Sequence, residues 1–369
     1  MMNICFFNTL KPWGGGEKFY FDYALGFQKK GHRVFIVCSK NSVLSQKATA
    51  CGLPQFNVEV KVLSALNPLK VFKLVRFFKR EKIDSVMFST SQDLKLGGLS
   101  SKLAGVEKII YRRGLAKAIK NRFINRMIFK NILTHIIANS EETKRTILQN
   151  LSKYVDADKI KVIYNGIYVG KRDVKVKPLE KINEKSRGIV LGNAGRLTIQ
   201  KGQQYLLEVA KILKERNIDY TLFIAGTGKL KDELNNKIKA YNLEDQVILL
   251  DFVEEMERFI CSIDIFLFSS VWEGFGYVLA EAMIKSKPVV AFNITSNPEI
   301  INEGVTGFLV DYPDVKQFAE KVELLIRDEV LRKQIGENGK KSVYDRFVIE
   351  DRISELEAYL TGKQVSNNN

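Results

Sequence analysis

The chain has 369 residues, 45% hydrophobic and 27% charged, a length that predicts two or three domains and a composition that excludes intrinsic disorder and collagen-like or low-complexity structure. With 58 Lys and Arg against 42 Asp and Glu, the formal net charge is +16. This excess suits an anionic partner, whether a nucleic acid, a lipid surface or a phosphorylated substrate.

The first half of the chain alternates short apolar runs with segments of helical period. The apolar runs predict strands at residues 3–7, 33–38, 85–89, 108–111 and 135–138. The segments between them predict helices at residues 17–30, 68–82, 117–133 and 141–151. Nearly continuous apolar strands separated by helices indicate a parallel sheet covered on both faces.

The second half repeats this alternation. Strands are predicted at residues 189–193, 220–225, 246–250, 263–268 and 288–292. Helices are predicted at residues 203–214, 230–240, 277–284 and 315–327, followed by a last amphipathic helix at 347–360. The sequence therefore predicts an α/β protein with two doubly wound, Rossmann-like units in tandem.

A polar, lysine-rich segment at residues 168–187 separates the two halves. The predicted organisation is listed in chain order: an N-terminal domain at 1–170, a linker at 171–187, a C-terminal domain at 188–346, a last helix at 347–363 and a disordered tail at 364–369. Residues 1–170 contain 29 basic and 11 acidic side chains, a net charge of +18, and the remainder carries −2. The positive excess therefore belongs to the first domain.

Cysteines and histidines carry little functional signal. The four cysteines, Cys5, Cys38, Cys51 and Cys261, form no C-x-x-C pair and favour buried free thiols in a reducing compartment. A structural zinc site is not expected from two histidines, for which turn or strand-end roles are expected. Neither a signal peptide nor an apolar run of the roughly 18 residues that a membrane span needs is recognisable. A cytoplasmic protein is predicted, with contact to a membrane surface left open.

The strongest local motif is Glu273-Gly-Phe-Gly-Tyr-Val-Leu-Ala-Glu281, which follows the predicted strand at 263–268. Its glycines, Gly274 and Gly276, let the backbone turn tightly into a helix whose N-terminus suits a phosphate. Eight positions do not return to one helix face, so the spacing does not bring the two carboxylates together. A solvated Glu273 and a helix-face Glu281 fit the spacing equally well.

A second candidate site follows the strand at 189–193. Arg196 and Lys201 fall on the loop between strand and helix, where open α/β sheets bind ligands. Two cations there suit a diphosphate, although an ordinary solvated pair fits the same loop. Weaker glycine turns follow two other strands, Gly14-Gly15-Gly16-Glu17 and Gly226-Thr227-Gly228, and neither contains a dinucleotide fingerprint or a P-loop.

Together these motifs resemble the retaining glycosyltransferases of family 4 over nearly the whole chain. The matching segments are residues 15–17, 31–34, 162–166, 195–196, 201–202, 273–281, 297–299 and 304–308. The resemblance implies a GT-B fold, in which two Rossmann-like domains face a cleft and the last helix crosses back to the first domain. It also implies a UDP- or GDP-sugar donor held mainly by the second domain, and a metal-independent reaction without a further cofactor.

By this likeness, Arg196 and Lys201 hold the donor diphosphate, Glu273 contacts the transferred sugar or its surroundings, and Glu281 binds the ribose hydroxyls. The other expected donor-binding residues are Gly15, Gly16, Gly226, Phe252, Gly274, Phe275, Gly276, Tyr277 and Val278. Fixed cations strengthen their interaction as negative charge develops on the departing phosphate, which is the differential binding that catalysis needs. Asp156-Ala157-Asp158 mimics a metal-binding D-x-D motif, but no metal role is expected for it.

Two departures from the family pattern stand out. Many members carry a glycine pair before Pro-Glu, where this chain has Thr295 and Ser296. Some relatives place a histidine after a first-domain strand, where this chain has Arg112 and Arg113. These two arginines and Glu17 are the candidate acceptor contacts, and a surface role fits Arg113 equally well.

Two basic amphipathic segments in the first domain suggest a membrane surface. Residues 68–82 hold six basic side chains interleaved with apolar ones, and residues 108–130 hold eight and no acid. Such helices can lie at an anionic lipid interface, although a core face with a solvated basic face also explains each one.

These observations predict a transferase that moves a sugar to a hydroxyl of a lipid-linked or lipopolysaccharide-type acceptor at the inner face of the cell membrane. A GT-B nucleotide-sugar epimerase and a basic nucleic-acid-binding protein are the alternatives. The second leaves the loops of the second domain unexplained and lacks a recognition motif, so no nucleic-acid partner is expected.

Overall fold

Parallel strands and helices alternate along the chain in two separate units. A computed structural model describes residues 1–169 and 176–363. Of these residues, unit 1 comprises 1–166 and 350–363, and unit 2 comprises 167–169 and 176–349. Part of the predicted linker, residues 170–175, and the predicted tail at 364–369 lie outside the described residues.

Unit 1 is built on a seven-stranded parallel sheet. Its strands are β1 (Asn3–Phe7), β2 (Arg33–Cys38), β3 (Gln55–Asn57), β4 (Ser85–Phe88), β5 (Lys108–Arg113), β6 (His135–Ala138) and β7 (Ile160–Val162). Its first six helices are α1 (Gly15–Lys29), α2 (Val43–Ala50), α3 (Pro68–Arg80), α4 (Ser91–Ala104), α5 (Phe123–Asn131) and α6 (Glu141–Leu151). The strand order is β3-β2-β1-β4-β5-β6-β7, so the direction of winding changes between β1 and β4.

Unit 2 repeats the plan with a six-stranded parallel sheet. Its strands are β8 (Ile189–Ala194), β9 (Tyr220–Ala225), β10 (Val247–Leu249), β11 (Ile265–Phe268), β12 (Val289–Phe292) and β13 (Phe308–Val310). Its helices are α7 (Glu180–Asn183), α8 (Gln203–Glu215), α9 (Lys231–Ala240), α10 (Met256–Cys261), α11 (Tyr277–Ile284), α12 (Asn297–Ile300), α13 (Val315–Arg327) and α14 (Glu329–Arg346). The order β10-β9-β8-β11-β12-β13 places the change of direction between β8 and β11.

The last helix, α15 (Ile349–Thr361), packs within unit 1. A Cβ atom added at Gly26 of α1 would lie 2.2 Å from Ile353 Cδ1, so glycine is what allows the two helices to approach this closely. Glu357 pairs with both Lys30 Nζ and His32 Nε2 at 2.8 Å. The expected return of the last helix to the first unit is therefore observed.

The central strands are buried on both faces, which explains why they stand out as unbroken apolar runs. Every residue of β4, β11 and β12 is buried, and each unit has its own cluster of buried apolar side chains. This burial pattern is typical of parallel sheets covered by helices.

The structure corrects the sequence prediction in several elements. The helix predicted at 117–133 begins only at Phe123. Helix α4 was not predicted because Gly97 and Gly98 weaken its pattern; a Cβ atom at Gly97 would lie 2.2 Å from the Phe88 ring. Helix α14 was also not predicted, since few of its side chains are buried. The predicted linker contains α7, whose Ile182 is fully buried.

Candidate active site

Four loops of unit 2 leave the carboxyl ends of neighbouring strands. They follow β8, β9, β11 and β12, which lie side by side in the sheet. Because parallel strands end at the same edge, these loops adjoin each other there. The change of winding direction between β8 and β11 opens a crevice at this edge, which is the usual ligand position in such sheets.

Lys201 and Glu273 meet at this crevice. Lys201 follows β8 and Glu273 follows β11, and Lys201 Nζ forms an ion pair with Glu273 Oε1. The side chains are 17% and 11% exposed. Ser270 Oγ donates a hydrogen bond to the same carboxylate oxygen at 2.9 Å. The lysine stem lies over Gly195, where an added Cβ atom would lie 3.4 Å from three of its carbons.

The two loops are joined by further hydrogen bonds. Val271 N donates to Gln200 O at 2.8 Å, and Gln200 Nε2 donates to Trp272 O at 3.1 Å. Ser269 Oγ donates to Lys201 O at 3.0 Å. These bonds order the backbone on both sides of the ion pair. The motifs alone revealed neither these bonds nor the roles of Ser269 and Ser270.

Arg196 differs from Lys201 in its environment. Its side chain is exposed, and its guanidinium forms no hydrogen bond or ion pair with another residue in the described part of the chain. The predicted cation pair therefore consists of the half-buried Lys201 ammonium, which is ion-paired, and the exposed Arg196 guanidinium, which has no partner among the described residues. A guanidinium in this state can form two hydrogen bonds to an incoming anion.

Close backbone packing explains the glycine after β9. Gly226 has φ +143°, and a Cβ atom added there would lie 2.0 Å from Gly195 O. The loops after β8 and β9 thus contact each other through backbone atoms, and a side chain at Gly226 would force them apart. This contact keeps the loop that carries Arg196 close to the sheet edge.

The glycine turn before α11 forms as predicted. Gly276 has φ +72° and directly precedes the helix, and Gly274 is buried beside it. Tyr277, Val278 and Glu281 are half-buried. The N-terminus of this helix, with the positive end of its dipole, therefore lies at the end of the loop that carries Glu273.

Two predicted donor-binding aromatic residues have opposite environments. Phe275 is 2% exposed, with its ring centroid 5.2 Å from that of Phe347, so its side chain belongs to the core of unit 2. Phe252 is 75% exposed and lines a cavity of about 210 Å³ with residues of the 179–185 segment and of β10. Phe252 therefore remains available to a ligand, whereas Phe275 supports the glycine turn from within.

In unit 1, Gly15 and Gly16 begin α1 at the edge where β1 ends. Glu17 is 5% exposed and accepts a hydrogen bond from Asn8 Nδ2 at 3.0 Å. Asp93, in the unpredicted α4, is fully buried and accepts from Thr9 N at 3.3 Å. Burial raises the pKa of Asp93, although hydrogen bonds from Thr9 and Thr90 oppose the shift. Two enclosed carboxylates thus adjoin the change of winding direction in this sheet, and the sequence pointed to one of them.

The two candidate acceptor arginines are engaged within unit 1. Arg112 is 3% exposed, stacks 3.9 Å from the centroid of the Phe19 ring and donates to Asn165 Oδ1. Arg113 is half-buried and donates to Tyr111 Oη at 3.1 Å and to Lys117 O at 2.9 Å. Arg112 is therefore enclosed in the protein, and of the two Arg113 is the more accessible.

The histidines have structural environments. His32 Nδ1 accepts from Met2 N at 3.1 Å and its Nε2 contacts Glu357, while burial lowers the pKa of His135. Asp156 pairs with Lys159 at 3.4 Å. Within residues 1–169 and 176–363, no group of three or more His, Cys, Asp and Glu could hold a metal ion.

All four cysteines are free thiols. Cys5 and Cys38 are buried as expected, and burial raises the pKa of both thiols. Cys51 is exposed at the end of α2, so the expectation of burial is wrong for this residue.

Comparison with known proteins places this architecture in a family. Residues 13–171 match the model of Glycosyltransferase Family 4, and residues 177–342 match that of Glycosyl transferases group 1. The capsular polysaccharide biosynthesis glycosyltransferase CapM of Staphylococcus aureus is 30% identical over 90% of both chains. The chain belongs to glycosyltransferase family 4. An Escherichia coli family relative, UDP-Gal:alpha-D-GlcNAc-diphosphoundecaprenol alpha-1,3-galactosyltransferase, is 27% identical over 80% of this chain and 79% of its own.

Solved structures confirm the GT-B fold of this family 4 protein. The Anabaena protein HepE, crystallised with UDP, superposes with a TM-score of 0.83 at 22% identity, covering 98% of this chain and 100% of its own. A glycosyltransferase from Rickettsia africae superposes with a TM-score of 0.84 at 20% identity, covering 100% and 99%. The predicted fold class and family are therefore confirmed, and the protein is a glycosyltransferase.

Proposed function

We propose that this glycosyltransferase moves a sugar from a UDP-sugar to a hydroxyl of a lipid-linked surface-glycan acceptor, with retention at the anomeric carbon and without a metal ion. The observation that carries the proposal is the meeting of Lys201 and Glu273 at the crevice of unit 2, with the free guanidinium of Arg196 on the same loop. Crystals of HepE contain UDP and UDP-glucose, which favours UDP over GDP. CapM and the Escherichia coli relative support the acceptor class by their names.

Arg196 and Lys201 would bind the donor diphosphate. When the bond between sugar and phosphate breaks, negative charge grows on the leaving group, and an ammonium already fixed at the site stabilises it without reorganisation. The exposed Arg196 adds a bidentate contact once the donor is present. Loss of one such group costs about 10²–10³ in kcat at comparable electrostatic sites.

Glu273 suits a binding role better than a nucleophilic one. One of its carboxylate oxygens is already engaged by Lys201 Nζ and Ser270 Oγ. A carboxylate held in this way is a fixed hydrogen-bond acceptor for a sugar hydroxyl. We therefore propose that retention arises from attack of the acceptor on the face that the diphosphate leaves, rather than through a glycosyl-Glu273 intermediate.

The donor is tested by thermal unfolding against a panel of UDP- and GDP-sugars. A donor at 100 times its dissociation constant should stabilise the protein by about 2.7 kcal/mol. Lys201→Ala should abolish this stabilisation, whereas Lys211→Ala, on α8 and paired with Glu215 at the surface, should keep it. Stabilisation by GDP-sugars alone, or by none of the panel, would refute the proposed donor.

The reaction is tested by incubating the stabilising donor with an undecaprenyl-diphosphate-linked sugar in the presence of EDTA. We expect a glycolipid whose new linkage has the anomeric configuration of the donor by NMR. An inverted product, or activity abolished by EDTA and restored by Mg²⁺, would contradict the retaining or the metal-independent part. A donor converted to an epimer without transfer would identify the alternative enzyme.

Because the proposed acceptor is lipid-linked, we expect unit 1 to contact a membrane surface. None of the described helices combines the length and the apolar content of a membrane span. The apolar–basic surface of unit 1 is defined by six apolar side chains that are 57–78% exposed: Val62, Leu63, Leu66, Leu69, Phe72 and Leu103. Leu66, Phe72 and Leu103 line one open depression, and exposed apolar patches of this kind typically mark interaction sites.

Cations flank this apolar–basic surface. Lys61, Lys73, Arg76 and Lys79 are exposed along the same segment and α3. The nearby acids are engaged, because Glu59 pairs with Lys11 and Glu81 with Arg33 and Arg80. Each Lys or Arg near an anionic bilayer contributes about 1 kcal/mol, and exposed apolar side chains beside them can enter the interface. We propose that this surface contacts anionic lipid.

The membrane contact is tested by co-sedimentation with phosphatidylglycerol-containing vesicles at low and high salt. Binding should fall with salt, and Leu66→Ser with Phe72→Ser should reduce it at least tenfold. The matched control is Val330→Ser in unit 2, which is 77% exposed and should bind as the wild type does. Wild-type protein that stays in the supernatant at low salt would refute the contact.

A further inference from the structure

Thr295, which follows β12, has an unusual backbone conformation. Its φ of +43° lies in the left-handed region, which favours glycine and is rare for a β-branched residue. The loop around it is held firmly: Asn297 N donates to Ile294 O at 3.0 Å, and Asn297 Nδ2 donates to Phe292 O at 2.8 Å. Strained residues persist where their surroundings determine them, and they cluster at functional sites.

The Thr295 side chain reaches the candidate site. Glu273 N donates a hydrogen bond to Thr295 Oγ1 at 3.1 Å. This N–H belongs to a residue that is 8% exposed and lies outside any helix or strand, so its partner is a side chain. A glycine or valine at position 295 would remove that acceptor from a buried donor.

The bond extends a chain of contacts across three loops. Thr295 after β12 holds the backbone of Glu273 after β11, and the Glu273 carboxylate holds Lys201 after β8. Ser270 Oγ completes the contacts of that carboxylate. The orientation of both charged groups therefore depends on a hydroxyl that touches neither of their side chains.

We propose that Thr295 is a positioning residue, whose hydroxyl fixes Glu273 and, through it, Lys201 for the reaction. This inference rests on the proposed function of the Lys201–Glu273 site. The left-handed backbone at position 295 is what brings the hydroxyl to the Glu273 amide. The hydroxyl, and not the branched side chain as such, carries the role.

Three variants separate the hydroxyl from the backbone strain. Thr295→Ser keeps the hydroxyl, Thr295→Val keeps the branched shape, and Thr295→Gly removes both the strain and the hydroxyl. Ser286→Gly is the matched control, because Ser286 also has a positive φ, +55°, and follows α11 at the end remote from the Glu273 loop. These variants are compared by kcat, by KM for the donor, and by hydrogen exchange of a peptide containing the Glu273 amide.

We expect Thr295→Val and Thr295→Gly to lower kcat by about 10- to 100-fold, with a smaller change in KM, since misplacement of a site by about 1 Å can cost that much. Exchange at the Glu273 amide should rise at least tenfold in both. Thr295→Ser and Ser286→Gly should match the wild type within about twofold in both measurements.

The two readouts distinguish the outcomes. Hydrogen exchange is measured without the donor sugar, so it reports on the bond between Thr295 Oγ1 and the Glu273 amide independently of catalysis. Absence of sugar transfer by the wild type would refute the proposed function but would leave this measurement valid. Wild-type exchange in Thr295→Val and Thr295→Gly would overturn the inference by itself. Faster exchange with wild-type kcat in Thr295→Gly would show that the bond exists but positions nothing, which overturns it equally.

Discussion

The ion pair between Lys201 and Glu273 allows a quantitative test of how the candidate site is built. Lys201→Met would leave the Glu273 carboxylate, 11% exposed, with Ser270 Oγ as its remaining side-chain donor. Glu273→Gln would instead leave an ammonium on a long stem, 17% exposed and 5.7 Å from the centroid of the Phe268 ring. The two single variants therefore should not be equivalent.

The expected magnitudes follow from burial. Removing one partner of a fully buried pair costs about 3–5 kcal/mol, and we expect about 3 kcal/mol for Lys201→Met because the carboxylate keeps slight exposure. Glu273→Gln should cost about 1–2 kcal/mol, since the lysine stem can turn its ammonium toward water. The double variant should cost about 2 kcal/mol less than the sum of the singles, which lies within the range of coupling between contacting residues.

Urea unfolding followed by tryptophan fluorescence measures these free energies. Of the two tryptophans, Trp272 lies beside Glu273 and Trp13 lies in unit 1, so a Trp13→Phe background makes the signal specific for unit 2. Lys211→Met, which breaks an exposed pair with Glu215 at 3.7 Å, should change stability by less than about 0.5 kcal/mol. Additive single variants, or a Lys201→Met cost as small as that control, would refute the reasoning.

Two further predictions concern packing and pH. Gly226→Ala should destabilise unit 2 by at least about 3 kcal/mol and abolish transfer, because its Cβ would lie 2.0 Å from Gly195 O. Gly31→Ala, at φ +84° with no atom within 4 Å of an added Cβ, should cost only about 1–2 kcal/mol by urea unfolding followed through Trp13 of unit 1 in a Trp272→Phe background, and equal costs would contradict this account. For Glu357, burial favours a raised pKa, but pairing with Lys30 and His32 holds the pKa below its ordinary 4.5. Its contribution to the free energy of unfolding should therefore be complete above about pH 5 and be lost as the pH falls through the lowered pKa. The stability difference between wild type and Glu357→Gln, followed by urea unfolding from pH 7 to pH 3, should shrink toward acid, and a difference that grows there would be the opposite of what is expected.

Sequence periodicity predicted the strands that are buried on both faces, and it missed helices such as α4 in which glycines allow a close contact with a neighbouring element. The strands at 3–7, 33–38 and 220–225 have the predicted bounds, because parallel strands between helix layers need unbroken apolar runs. Helix α4 was missed because its glycines serve close contact with Phe88, a requirement that the helical period does not show. Local pattern therefore predicted the sheets better than the helices on them.

The predicted site residues differ in how well their surroundings could be anticipated. Gly276 was recognised because a positive φ before a helix demands glycine, which is a local property. The enclosure of Arg112 between Phe19 and Asn165 could not be anticipated, because these residues are distant in sequence. The donor and acceptor roles themselves remain predictions for the experiments above.

By itself the sequence determined the architecture and the charge of the first unit, since these follow from short-range period and composition, and its motifs carried the resemblance to the family. Only the tertiary structure decided that Lys201 pairs with Glu273 while Arg196 stays free, and that Thr295 holds the Glu273 backbone. The physical reason is that Lys201 and Glu273 are 72 residues apart in the chain, and Glu273 and Thr295 are 22 residues apart. These residues lie on loops after different strands, and the loops meet only when the strands align in the sheet. Which side chains pair between these loops depends on the order and register of the strands, and a local sequence pattern does not contain that information.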